Sequence, residues 1–498
     1  VARVEIFLGG IIKKSLTHSL KWVFSTTVIR RFISFILFLY IVRYFDRADL
    51  GIYRAFSLIL SFSALVSVFG FGILNIVEKS KKYLKYGLQF VLFSSLFVSL
   101  ILFFLRGILA EKYSSSELYL YILYGFWLVI PLSIKILIKS LYELEMNFKY
   151  LSIIETIKVF AYFTITLLLF MIDLKFYYFI IAFYLSEIIE LILLYYPLKK
   201  TLTIELFDAL KLKFVRPLKI VLKKNFHFLS FTTAPNAINI FTLNAPILLM
   251  GLFFLPEFIG NYFVAAQLVS VPLSFLIFSL SQILFPTFSL SEKKDLSLKI
   301  EEYIRHVVLV LWLPVLLFGV LLKYWGFIII GSQDIDLVVS IINVLIIKSL
   351  ITLILIPLSS IPTVLKKPQY ELYWSIGSIS TICIMVYLMK EASFLNMFYC
   401  YAVVNIINLV IFIVMILKMV DSYLWKFFVS IGKGVGYTLP MIFILFLPKK
   451  IFFSNKNIAN LNNWVIIGCI FVGILYSLSM FFLFEKMFFL KFLQRMKK

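Results

Sequence analysis

Runs of roughly 20 mostly apolar residues recur about fourteen times along this chain, and each is long enough to cross the hydrocarbon core of a bilayer as a helix. They begin near Trp22, Ile52, Leu84, Leu118, Tyr150, Phe176, Phe226, Phe258, Tyr303, Asp336, Tyr370, Phe394, Phe427 and Trp464. Lipid offers no partner to a backbone N–H or C=O, so each run must satisfy its hydrogen bonds internally, as a helix does. The remaining composition agrees. With 498 residues, 62% hydrophobic, 15% charged and a mean hydropathy of +1.02, the chain fits neither a water-soluble globule nor a disordered segment. Its 55 Phe and 28 Tyr suit lipid-facing helices with aromatic ends at headgroup level. Cys383, Cys400 and Cys469 fall within apolar runs at no metal-ligand spacing, which reads as core packing and not as a disulfide framework or zinc site.

A net charge of +23 would suggest a nucleic-acid partner in a soluble protein. Here the basic residues sit mostly between the apolar runs, so no nucleic acid is expected. With the amino end inside, about 31 of the 48 Lys and Arg fall on the cytoplasmic side and about 11 outside. Both termini are therefore expected in the cytoplasm of a cell-membrane protein, with Val1 to Lys21 lying along the membrane as an unprocessed segment. The thirteenth run, Phe427 to Leu447, is the least regular because Gly432, Gly434, Gly436 and Pro440 interrupt it.

The connection after the first run reads Ala48-Asp49-Leu50-Gly51-Ile52-Tyr53, and the one after the seventh reads Glu257-Phe258-Ile259-Gly260-Asn261-Tyr262. Both place Gly-x-Tyr at the mouth of the next helix, and a Ser-containing apolar run follows each. Six runs separate the copies. That even number gives two similarly oriented lobes related by an axis along the membrane normal. The expected organisation is an amino-terminal lobe (1–205), a basic amphipathic cytoplasmic linker (206–225), a carboxy-terminal lobe (226–420) and an appended helix pair (421–498). The linker region carries Lys211, Lys213, Arg216, Lys219, Lys223 and Lys224 among apolar residues, a pattern suited to an anionic leaflet.

Three passages resemble the polysaccharide (oligosaccharide) flippases of the multidrug/oligosaccharidyl-lipid/polysaccharide exporter superfamily. The first is Val42-Arg43-Tyr44-Phe45-Asp46-Arg47-Ala48-Asp49-Leu50-Gly51-Ile52-Tyr53 with Phe69-Gly70-Phe71-Gly72; the second is Glu143-Leu144-Glu145-Met146-Asn147-Phe148-Lys149-Tyr150. The third runs from Asn225 through Gly260-Asn261-Tyr262 to Leu284-Phe285-Pro286. The resemblance implies an all-α polytopic fold of two six-helix lobes plus a terminal pair. It also implies alternating-access movement of an oligosaccharide on undecaprenyl pyrophosphate from the cytoplasmic to the outer leaflet. Expected partners are that lipid-linked substrate, membrane lipids and other polysaccharide assembly proteins, with the chain itself a monomer and not an enzyme. One departure is visible: Asn244-Ala245-Pro246-Ile247-Leu248-Leu249-Met250-Gly251 lacks the acidic residue that family members often carry late in the seventh helix.

Charges inside apolar runs are the candidate site, because a charge at mid-bilayer costs at least about 2.5 kcal/mol unless it meets a cavity or partner. For binding the pyrophosphate the candidates are Arg30, Arg31, Lys135, Lys158 and Lys348. A diphosphate crossing a low-dielectric slab needs fixed positive charge in place of water, and Arg matches phosphate oxygens bidentately. Adjacent helix positions point about 100° apart, so only one of Arg30 and Arg31 faces a cavity squarely. Lys139 reads as an ordinary cytoplasmic anchor, and Glu155 with Lys158 as an intrahelical pair. Glu155, Glu187 and Glu190 either neutralise these cations or couple transport to H+ or Na+; no other cofactor and no metal is expected. Pro235 and Pro246, two breaks in the seventh run near Asn236, Asn239 and Asn244, mark a gate helix or merely static bends.

Within the superfamily the alternatives are a peptidoglycan-precursor flippase and a multidrug exporter; a cation exporter would need an acidic cavity. A membrane oligosaccharide polymerase or glycosyltransferase would need a sizeable outer loop with catalytic groups. The richest outer connection, Pro448 to Asn463, has Lys449, Lys450 and Lys456 but no carboxylate or His.

Overall fold

The computed structural model describes residues 25–77, 84–145, 147–173, 176–198, 215–289, 293–331, 334–365, 367 and 369–446. Among these there is helix and no strand. Ten helices are long and apolar enough to cross a membrane. Three further long helices, Val215–Leu243, Pro256–Ser289 and Leu424–Phe446, stand where the seventh, eighth and thirteenth runs were expected. The fourteenth run and residues 206–214 of the basic linker lie outside the described residues, while 215–225, expected as linker, form the first turns of the helix that begins at Val215. The chain is a multi-pass membrane protein.

Contacts divide the chain into two compact units, Val1–Phe263 and Val264–Lys498. The first begins with α1 (Ser25–Tyr44), α2 (Arg47–Val68), the short α3 (Phe71–Val77) and α4 (Leu84–Lys112). Between α2 and α3 the chain turns through two left-handed residues, Phe69 (φ 43) and Gly70 (φ 73), which is why the sequence carries glycine at this break. The fourth span is jointed into α5 (Ser116–Gly125) and α6 (Val129–Leu144) by a 3-10 turn over Phe126–Leu128. A Cβ on Gly125 would lie 2.4 Å from the Tyr184 hydroxyl and 2.6 Å from the Phe56 ring, so the joint sits against a tightly packed aromatic wall. α7 (Phe148–Ile172) and α8 (Phe176–Tyr195) form an antiparallel pair that packs on α6. At one end of the unit Tyr53 packs among Phe176, Phe179 and Phe183. At the other, Val68, Phe71, Leu74, Leu88, Leu137 and Leu141 form the apolar core.

α9 (Val215–Leu243) passes Pro235 and gives way to a π-helical segment that starts at Pro246 and ends at Met250. Proline cannot donate into the ladder, and the chain absorbs the lost bond by widening a turn. The Asn244 amide donates to the Ile240 carbonyl at 2.8 Å, which also accepts the Asn244 backbone N–H at 3.2 Å. Tyr113, just past the end of α4, braces the π segment through a 3.0 Å bond from its hydroxyl to the Leu248 carbonyl.

α10 (Pro256–Ser289) opens with the second Gly-x-Tyr copy, and here the repeat becomes physical. A Cβ on Gly51 would stand 2.2 Å from the Pro256 carbonyl oxygen, and one on Gly260 would stand 1.7 Å from the Arg47 carbonyl oxygen. Each glycine thus lies against the residue four positions before its counterpart. Backbone meets backbone in a reciprocal seam that no side chain would fit.

In the second unit α11 (Lys293–His306) runs through a π-helical segment, Val307–Leu311, into α12 (Trp312–Ile330). The widened turn lies immediately before Pro314. α13 (Ile335–Leu358), α14 (Ile361–Val364), α15 (Gln369–Leu388), α16 (Phe394–Met419) and α17 (Leu424–Phe446) complete the described part. α17 stays helical through Pro440 and its three glycines. Gly434 explains part of that irregular sequence, since a Cβ there would meet Val308 at 2.1 Å where α17 crosses the π segment. Trp374 clamps α15 to α16, stacking on Phe412 (centroids 4.2 Å apart) and donating its indole N–H to the Asn408 carbonyl at 2.9 Å.

Candidate functional site

Up-and-down order places the ends of α6 and α8 and the starts of α1 and α7 at the same end of the first unit. The charges on α6, α7 and α8 lie between about 8 and 15 Å from those ends at 1.5 Å per residue. Seven charged side chains on four helices therefore share one level, and the structure joins them. Arg30 on α1 pairs with Glu155 on α7 and donates to the Thr27 hydroxyl at 2.7 Å. Lys139 on α6 reaches the other oxygen of Glu155 at 2.8 Å and Glu190 on α8 at 2.6 Å, the latter an ion-pair contact too misaligned to be a hydrogen bond. Lys135 pairs with Glu187 and, at 2.9 Å, with Glu190. Lys158 pairs with Glu187 and, at 3.0 Å, with Glu190.

The network has a floor and a rim. The side chains of Glu190 and Glu187 are 0% and 6% exposed, whereas those of Arg30, Lys139 and Lys158 are 16%, 23% and 24% exposed. Two buried carboxylates form the floor, while Glu155, 32% exposed, stands at the rim with Arg30 and Lys139. Four basic groups meet three acidic ones, so the cluster carries one surplus positive charge. A buried charge survives only when paired, and here every carboxylate is shared by at least two cations. Such an arrangement presents preordered N–H donors to an incoming anion without an isolated charge in the apolar interior.

The sequence candidates divide accordingly. Arg30, Lys135, Lys158, Glu155, Glu187 and Glu190 come together; Arg31 has no ion pair among the described residues and stands outside the cluster. Lys139, read as an anchor, belongs to it. Glu155 and Lys158 do not pair with each other, since each turns to a different helix. Lys348 lies in the second unit, its ammonium 5.5 Å from the centre of the Tyr401 ring. Pro235 lies within α9 and Pro246 opens the π segment.

One group escaped the sequence reading. Arg54 on α2 donates to Asn244 Oδ1 at 3.1 Å and stands over the Phe263 ring at 5.6 Å. It ties the residue beside the α9 break to the helix bearing the first Gly-x-Tyr. An interface anchor can occupy the same position, one residue beyond Tyr53 near a span mouth, and only long-range contact distinguishes the two.

A family model described as polysaccharide biosynthesis protein matches residues 40–339. The chain belongs to that family. The family match contains the α6–α8 part of the cluster, while Arg30 and Lys348 flank it. Among solved structures, the chain is similar to a lipid II flippase, MurJ, in an inward closed conformation, with a TM-score of 0.68 and 13% identity over 93% of this chain and 98% of that one. It is also similar to an inward-facing multidrug resistance MATE family transporter of the MOP superfamily, with a TM-score of 0.56 and 10% identity over 75% of this chain and 90% of that one. This member of the polysaccharide biosynthesis family therefore has the fold of those two structures, as the resemblance implied. A search of curated protein sequences finds no match.

Proposed function

We propose that this protein moves a lipid-linked oligosaccharide, carried on undecaprenyl pyrophosphate, from the cytoplasmic to the outer leaflet of the cell membrane by alternating access. The observation that carries the reading is the cation-rimmed cluster of the first unit, set in a membrane protein of the polysaccharide biosynthesis family. A diphosphate headgroup asks for several N–H donors at fixed positions, and Arg30 offers a planar fork at the rim. Binding exchanges partners: the phosphate oxygens take over contacts that Glu155 makes with Arg30 and Lys139, so the cost of removing water from the headgroup is offset by donors already in place. Lys135 and Lys158, tied to the floor carboxylates, supply the surrounding positive potential. Arg31 and Lys348 would meet the headgroup elsewhere on its path.

Glu187 and Glu190 serve in this reading as the group that exchanges H+ or Na+. Pro235 and the π segment at Pro246 serve as the flexing points of α9. The amino-terminal and carboxy-terminal lobes follow the boundaries of the repeat, both termini face the cytoplasm, and the protein moves its substrate without bond-making chemistry.

The deciding experiment follows delivery of lipid-linked glycan to the outer leaflet in cells and in reconstituted vesicles. Arg30→Ala is expected to abolish delivery while the protein remains folded in the membrane. Normal delivery by this variant would remove the cluster from the transport path, and equal transport of a peptidoglycan precursor would refute the oligosaccharide assignment.

A further inference from the structure

Arg54 carries a charge inside α2 that the transport reading leaves unused. It stands seven residues beyond Arg47, about 10 Å along the helix. α2 runs in the same direction as α6 and α8, so Arg54 lies nearer the end of the first unit away from the charge cluster. A charge at that depth is costly unless it meets a partner. Among the described residues Arg54 makes no ion pair, and its partners are neutral: Nη2 donates to Asn244 Oδ1 at 3.1 Å, and the guanidinium stands 5.6 Å from the centre of the Phe263 ring.

These two contacts fix the side chain without neutralising it. Its Nε and Nη1 make no hydrogen bond and are not buried, so part of the planar fork is held and part is open. A guanidinium edge of this kind matches two oxygens of one phosphate. Asn244, for its part, is the knot of the α9 junction. Its side-chain amide donates to the Ile240 carbonyl at 2.8 Å, and its own carbonyl accepts the N–H groups of Ile247 and Leu248, both at 3.0 Å. Pro246, which opens the π segment, has no N–H to give. The bonds of Asn244 therefore carry the chain across the break, and Arg54 holds the oxygen of that same side chain.

We propose that Arg54 is a latch on the α9 junction, released when a phosphate of the transported lipid's diphosphate reaches its open edge. The inference rests on the transport reading and gives it a trigger. An amide oxygen and a phosphate oxygen compete for one guanidinium, and only the phosphate adds the attraction of a full negative charge. As the guanidinium turns to the anion, Asn244 loses its tie to α2. The junction then keeps the bonds within α9 and the π segment and the Tyr113 brace. Because Arg54 lies away from the cluster, the latch answers to a headgroup that has already passed it.

The test uses the full chain purified in a non-ionic detergent. Hydrogen exchange is read by mass spectrometry in the peptide containing Asn244, Ile247 and Leu248 and in a reference peptide from α13. Undecaprenyl pyrophosphate, undecaprenol and inorganic pyrophosphate are each added. The lipid pyrophosphate is expected to speed exchange in the first peptide roughly tenfold, the loss of one hydrogen bond to a charged group, and to leave the reference unchanged. Undecaprenol, which has the chain without the phosphates, should do nothing. Arg54→Gln should exchange at the faster rate from the outset and gain nothing from the lipid. Asn244→Asp gives Arg54 an ionised partner, so it should exchange more slowly than the parent and resist the lipid; this variant decides the matter if Arg54→Gln does not fold. An equal rise in the reference peptide, a response to undecaprenol, a response to inorganic pyrophosphate but not to the lipid, or a lipid response undiminished in Asn244→Asp would each overturn the latch. At saturating lipid Arg30→Ala should still show the rise, and its absence would place the effect at the cluster and overturn the latch as well. Outer-leaflet delivery by Arg30→Ala is measured separately, so either proposal can fail alone.

Discussion

Replacing Glu190 by Gln removes the charge on which three lysines converge. Lys135, Lys139 and Lys158 lie 2.9, 2.6 and 3.0 Å from its carboxylate. At an effective dielectric of about 20, each such contact is worth about 6 kcal/mol of Coulomb attraction. Three therefore supply about 18 kcal/mol in gross terms, most of it offset by desolvation of the ions concerned. The variant keeps that desolvation for the lysines and loses the attraction, leaving four cations against Glu155 and Glu187. Breaking a buried ion pair on one side costs about 3–5 kcal/mol, and the Gln amide recovers little because it also presents N–H groups to ammonium ions. Adding Lys135→Met restores the original surplus of one positive charge; Lys135, like Lys158, is shared by both floor carboxylates and is the more buried of the two. The double variant should therefore be more stable than Glu190→Gln alone, with a coupling of at least about 2 kcal/mol in a double-mutant cycle. Unfolding of the purified protein in detergent measures all four species. Additive effects, or a Glu190→Gln protein as stable as the parent, would show that Glu190 does not hold the cluster together.

Two further outcomes test other parts of the structure. Gly260→Ala puts a Cβ 1.7 Å from the Arg47 carbonyl oxygen; α2 and α10 must separate, at an overpacking cost of about 1–3 kcal/mol or more. Gly377→Ala, where the new Cβ meets nothing within 4 Å, should instead stabilise α15 by about 0.5–1 kcal/mol; thermal unfolding of both variants reads the difference. Glu187→Gln should leave transport in vesicles insensitive to an imposed H+ or Na+ gradient, and unchanged gradient dependence would remove Glu187 from the coupling step.

Much of this architecture was legible because the membrane makes it so. Apolar length sets the spans, and the two Gly-x-Tyr copies fell at equivalent span mouths because the seam admits no Cβ at either glycine. The charged candidates were legible for the same reason, since Lys135, Glu187 and Glu190 are conspicuous in otherwise apolar runs. Their pairing was not. Periodicity reports which face of one helix a residue occupies, so Glu155 and Lys158 looked like mutual partners. The contacts are chosen by the crossing of α1, α6, α7 and α8, which brings Arg30 to Glu155 and Lys158 to Glu187. Lys139 was misread because an anchor and a cluster member occupy the same helical position until a neighbouring helix supplies Glu190. Arg54 was hidden further still, because its partner Asn244 lies 190 residues along the chain.

The reciprocal contact of Gly51 with Pro256 and of Gly260 with Arg47 has the form of an isologous dimer interface written into a single chain. In a two-fold homodimer a substitution appears on both sides at once, and the interface must tolerate it twice. A contact made within one polypeptide is free of that constraint. Arg47 and Pro256 now occupy matching places with different chemistry: the Arg47 side chain is buried and donates to the Val42 carbonyl, whereas Pro256 donates nothing from its backbone. Each edge of the junction can therefore be retuned by itself, so the two sides of this reciprocal contact are open to unequal strengths.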